Sequence, residues 1–161
     1  MKSLGAVPLS MAITSQETSA NDPYNLQRFV GAQSRCYERV CDELREGQKQ
    51  SHWMWFIFPQ LKGLGHSTMA NLFAISSISE AEAYLQHPIL GSRLRQCTDL
   101  VLQVEGRSIE QIFDGPDDLK FRSSMTLFAS TSLETKIFRD ALQKYFAGRR
   151  DPLTLDLLHS T

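Results

Sequence analysis

SHWMWFIFPQLKGLGHS, residues 51–67, concentrates both tryptophans of the chain and two of its nine phenylalanines between Trp53 and Phe58. Aromatic residues favour strands, but a strand needs a partner, and no other stretch of the chain supplies one. The segment is therefore expected to form a short buried helix, broken by Pro59 and followed by a loop at Gly63 and Gly65. Residues two apart on a helix project about 200° apart, so Trp53 and Trp55 cannot share a face. One of them is expected in the core and the other in a groove or interface. Ser67 then caps a short helix through Met69, Leu72, Phe73 and Ile75.

Helical punctuation continues on both sides. Upstream, Asp22-Pro23 reads as an N-cap with proline at the first helical position. Leu26, Phe29, Val30, Tyr37, Val40, Cys41 and Leu44 trace one apolar face of a long helix ending at Gly47. Arg28, Arg35, Glu38, Arg39, Asp42 and Glu43 mostly occupy its other positions and read as a solvated face. Downstream, Ser79 and Glu82 form a capping box for a helix to His87, and Pro88 opens another that Gly106 ends. Ser108, with Gln111 three residues on, caps a short helix through Ile109, Ile112 and Phe113. Asp114-Gly115-Pro116 is a turn, after which Asp117 and Asp118 suit the positive end of a helix burying Leu119, Met125, Leu127 and Phe128. Glu134 to Phe146 and a terminal helix opened by Asp151-Pro152 complete the series. The expectation is an all-α fold, a compact single-domain bundle of seven to nine short helices with no significant sheet. Residues 1–20 read as a flexible leader and 21–161 as the domain.

Composition agrees with one globular domain: 161 residues, 42% hydrophobic and 22% charged. A net charge of −1, from 17 basic and 18 acidic residues, makes nucleic acid an unlikely partner. No run of about 18 uncharged apolar residues exists, so no transmembrane helix is expected. Ala6 to Ile13 imitates a signal peptide, but Pro8 and Ser10 interrupt it and no A-x-A site follows. Three cysteines, none in a CxxC pair, fit a reducing compartment, and a cytoplasmic location is expected.

Three motifs are distinctive. They are Trp53–Gln60 with Gly63-Leu64-Gly65 and Ser67, then His87-Pro88-Ile89-Leu90-Gly91 with Arg93-Leu94, then Pro116–Lys120 running into Arg122–Phe128. In this order they resemble the bacterial family of domain of unknown function 1810, over roughly residues 22–157. The resemblance implies a compact, mainly helical single domain. It implies no established activity, cofactor or catalytic residue, so no residue role is carried over. Asp114 departs from the family pattern, which places a glycine nearer to Phe113.

Two segments are rich in chemistry. In the 59–67 loop, Gly63 and Gly65 let backbone approach a ligand, while Gln60, Lys62, His66 and Ser67 add polar groups. The pattern lacks the GxxxxGK[ST] of a phosphate-binding P-loop. In the 116–124 helix, Lys120 and Arg122 are candidate anion binders, with Ser123 and Ser124 as hydrogen-bonding neighbours. Asp118 and Arg122, four apart, have the spacing of a surface ion pair. His66 and Asp117 are the candidate proton-transfer residues. Trp53 and Trp55 can stack on a base or sugar. No histidine or cysteine spacing suits a metal site, and no cofactor is expected. The leading expectation is binding or hydrolysis of a phosphate-bearing small molecule, of nucleotide or ADP-ribose type, between the 59–67 loop and the 116–124 helix. The alternative is a non-enzymatic protein-interaction module using the Trp/Phe-rich 53–58 segment as an apolar groove.

Overall fold

The aromatic segment is helical. In the computed structural model, which describes residues 21–160, Trp53 O accepts from Phe56 N and Ile57 N, and Met54 O accepts from Phe58 N. Trp53, Met54, Phe56, Ile57 and Phe58 are all buried, so a single turn of helix places five apolar side chains in the core. Among the described residues the extended pairing amounts to one isolated parallel bridge, Leu61 to Ile75. The leader expected at 1–20 lies outside the described residues.

Among the described residues ten helices follow one another: α1 Gln27–Ser34, α2 Tyr37–Arg45, α3 Met54–Ile57, α4 Thr68–Leu72, α5 Ile78–Gln86, α6 Leu90–Leu102, α7 Ile109–Phe113, α8 Asp117–Ala129, α9 Lys136–Phe146 and α10 Pro152–His159. The all-α expectation holds, with one helix more than the upper count because the first amphipathic run divides into α1 and α2. The Ser34 hydroxyl donates to Val30 O, and Cys36 leaves helical geometry at φ −142°. The break accompanies a buried polar anchor. Gln33 Nε2 donates to Phe56 O and to the Tyr84 hydroxyl at 2.7 and 3.0 Å, and its Oε1 accepts from Arg93.

Two residues assigned to the solvated face of that run are interior groups. Arg28 donates to the carbonyls of Tyr24, Asn25, Leu72 and Ala74 and pairs with buried Glu80 at 3.0 Å. Glu43 accepts from Gln50 N, Ser51 N, Ser51 Oγ and Trp53 Nε1. The cap of α5 also differs from expectation: Ser77, not Ser79, accepts from Glu80 N, and Glu82 instead accepts from Ser132. The Ser108–Gln111 capping box and the Asp151-Pro152 start both form as expected.

Helix α8 is the centre of the domain, in contact with α5, α7, α9 and α10. It is buried on nearly every side from Phe121 to Ala129, which is why its sequence lacks a clean polar face. Leu119, expected inside, lies 57% exposed near its start, and Leu72 at the end of α4 is 53% exposed. Phe58 meets Phe121 and Phe113 edge-on, with ring centroids 5.0 and 5.8 Å apart, a geometry favoured by the ring quadrupoles. Helices α5 and α6 are joined by His87-Pro88-Ile89. There His87 Nδ1 accepts from the Ile89 and Leu90 amides, and burial holds its pKa below the usual histidine value. A β-carbon on Gly91 would lie 2.1 Å from Leu85 O, so only glycine fits this junction.

Candidate functional site

The bridge between Leu61 and Ile75 ties the two ends of the glycine loop. Lys62 N donates to Ile75 O, and Ile75 N donates to Gln60 O, at 2.8 and 2.9 Å. Within the loop, Gly63 adopts φ +103°, which a side chain strongly disfavours, and a β-carbon on Gly65 would fall 2.6 Å from that of Ala70. Both glycines are thus required by the loop's own geometry. The N–H groups of Gly63, Gly65 and His66 have no acceptor among the described residues. The Ser67 hydroxyl caps α4 by accepting from Ala70 N. With only five residues, α4 contributes little dipole of its own.

Loop, aromatic segment and α8 meet at a crevice. Trp55, Gln60, Gly63, Gly65 and Lys120 line it, with an apolar remainder from Met54, Phe58, Leu61, Ala70, Phe73 and Ala74. Its cavity volume is about 10 Å³, the space of a single water. A larger group enters only if the loop shifts outward. The expected division of the tryptophans is present: Trp53 is 1% exposed in the core, while Trp55 is half-buried at the crevice.

Electrostatics at the crevice centre on Asp117. Its carboxylate lies 3.0 Å from Lys49 Nζ and 3.5 Å from Lys120 Nζ, so two ammonium groups share one carboxylate. Lys49 is held in place by Trp53, whose ring centroid is 5.2 Å from Nζ. Lys49 was not legible as a site residue, because it reaches Asp117 only through long-range packing. The nearby Asp118 Oδ1 is buried without a hydrogen-bond partner among the described residues.

Several expected ligand-binding residues have structural work instead. Arg122 does not pair with Asp118; its guanidinium donates to Arg149 O and Arg150 O at 2.9 and 2.8 Å, clamping the α9–α10 connection. Ser123 donates to Leu119 O and to the Asp151 carboxylate that caps α10. Ser124 is fully buried, and its hydroxyl has no hydrogen-bond partner among the described residues. Trp53 is withdrawn from any ligand by its buried hydrogen bond to Glu43. Lys62, His66 and Ser67 are exposed and do not line the crevice. Burial of the 53–58 segment, Trp55 apart, also removes the apolar groove that a docking role for that segment requires.

The chain matches the sequence profile of a family described as "Protein of unknown function (DUF1810)" over residues 23–158. It is similar to the crystal structure of a conserved hypothetical protein of Mycobacterium tuberculosis, Rv1873. Identity is 56%, the TM-score is 0.86, and the match covers 87% of this chain and all of that one. No curated protein matches. Among the described residues, no helix is long and apolar enough to cross a membrane.

Proposed function

Since the chain belongs to the DUF1810 family, whose description assigns no reaction, we propose a function from the crevice itself: it binds a phosphate-bearing small molecule, of nucleotide or ADP-ribose type. The observation that carries this reading is the convergence of Lys120 with a glycine loop in which the Gly63, Gly65 and His66 amides have no acceptor among the described residues. Lys120 brings an ammonium group to the crevice lining, and free backbone N–H groups suit phosphate oxygens. Trp55 offers an aromatic surface for a base or sugar beside them. Binding is favoured over hydrolysis. Asp117 is engaged by two lysines rather than free as a base, and His66 lies off the crevice lining.

The test is a thermal-shift panel of orthophosphate, nucleoside mono- and diphosphates, sugar phosphates and ADP-ribose. A ligand at a hundred times its Kd stabilises by about 2.7 kcal/mol, which raises Tm by roughly 5–10 °C for a domain of this size. The same ligand is expected to alter tryptophan emission, with the change lost in Trp55→Phe. Lys120→Ala is expected to abolish the shift. A panel with no active compound, or an undiminished shift in Lys120→Ala, overturns the reading.

A further inference from the structure

The junction between α1 and α2 carries a concentration of charge with its own lining, separate from the crevice. Arg35 follows α1, Arg39 stands in the first turn of α2, and Arg93 stands in the first turn of α6, which packs on α2. All three line one surface cavity of about 350 Å³, together with Ser34, Tyr37 and Glu38. The break between α1 and α2 and the approach of α6 thus gather arginines that are far apart along the chain.

The fold leaves these charges without a countercharge. Arg35 and Arg39 are exposed, and their side chains have neither an ion pair nor a hydrogen bond among the described residues. Arg93 donates to the neutral Gln33 Oε1 at 3.3 Å, and its guanidinium carbon lies 4.8 Å from the Tyr37 ring centroid. It is therefore held in place with its charge unpaired. Glu38, the carboxylate of the lining, forms no ion pair with any of the three among the described residues. Arg28, Arg107 and Arg122 behave differently, directing their donors to main-chain carbonyls. Like charges around one cavity repel one another, and an anion placed between them relieves the repulsion.

We propose that this cavity binds a small polycarboxylate, with two or three carboxylates on a short carbon skeleton. A guanidinium is a planar fork whose paired N–H donors match the two oxygens of one carboxylate. The three forks start from separate backbone positions around a cavity much larger than a single tetrahedral anion. A skeleton with spaced carboxylates can present one planar group to each fork, whereas one phosphate group leaves most of the cavity empty. The ligand class therefore differs from that of the crevice.

The experiment is isothermal titration of the full-length protein with citrate, and with acetate and orthophosphate at matched ionic strength, since salt screens exposed charges. Saturable binding of one citrate per chain is expected, at least tenfold tighter than either comparison anion. Arg35→Ala and Arg39→Ala each remove a charge-assisted pair and are expected to weaken citrate by roughly tenfold or more. Both side chains are exposed and lack protein partners, so circular dichroism is expected to show both variants folded. Arg39→Lys keeps the charge but loses the fork, and is expected to fall between wild type and Arg39→Ala. Lys120→Ala is expected to bind citrate as wild type does, which separates this site from the crevice. No saturable heat with citrate, affinity unchanged in both alanine variants, loss of citrate binding in Lys120→Ala, or orthophosphate binding as tightly as citrate overturns the proposal.

Discussion

Removing the Glu43 carboxylate tests the most polar element of the core. Glu43 is 7% exposed and accepts four hydrogen bonds: Gln50 N at 2.7 Å, Ser51 N at 3.1 Å, Ser51 Oγ at 2.6 Å and Trp53 Nε1 at 2.9 Å. In Glu43→Ala the indole N–H is left buried without a partner, at a cost of ~1–3 kcal/mol. The three donors at residues 50 and 51 are only partly buried and regain water, so they add about 1 kcal/mol together. The expected loss is ~2–4 kcal/mol, or roughly 5–15 °C in Tm. It is read as a lower urea midpoint at unchanged slope.

Acid adds a second readout for Glu43. Burial alone would push its pKa up, but the hydrogen bonds from Ser51, Gln50 and Trp53 outweigh burial and hold it below the usual carboxylate value. The unfolded chain therefore binds the proton more readily, and stability rises with pH. The contribution is complete above the unfolded pKa and disappears as pH falls through the folded one. The stability gap between wild type and Glu43→Gln is thus widest near neutrality and closes in acid. An Ala variant within about 0.5 kcal/mol of wild type would refute the reasoning, since that is the range of ordinary surface substitutions.

Gly91→Ala forces a β-carbon against the Leu85 backbone, 2.1 Å from O and 2.9 Å from C. A loss of ~1–3 kcal/mol or more is expected in chemical denaturation. Gly31→Ala is the contrasting control: nothing lies within 4 Å of its β-carbon position inside α1, and a gain of ~0.5–1 kcal/mol is expected. Arg122→Ala removes two hydrogen bonds to the α9–α10 connection. It is expected to lower stability by ~1–3 kcal/mol while keeping any ligand-induced thermal shift that Lys120→Ala loses.

The sequence was readable where the signal is local. Caps at Ser108 and Asp151 depend on residues within one turn, and both form. The helical reading of Trp53–Phe58 followed from the lack of a partner strand. Arg28 and Glu43 were misread because helical spacing marks them as outward, while their partners lie on distant or irregular chain: Leu72, Ala74 and Glu80 for one, Gln50 to Trp53 for the other. Arg122 was misread for the same reason, since its acceptors are 27 and 28 residues away. Lys120, Gly63 and Gly65 line one crevice. The narrowness of their crevice depends on packing and was not visible.

The backbone tie between residues 61 and 75 gives the crevice two walls of unequal permanence. One wall belongs to α8, whose amides from Phe121 to Phe128 are expected to exchange with deuterium only on global unfolding. The other is a short closed loop hung from two main-chain hydrogen bonds. The amides of Gly63, Gly65 and His66 have no acceptor among the described residues and are expected to exchange orders of magnitude sooner. Opening the crevice is therefore a local excursion that leaves the aromatic core intact.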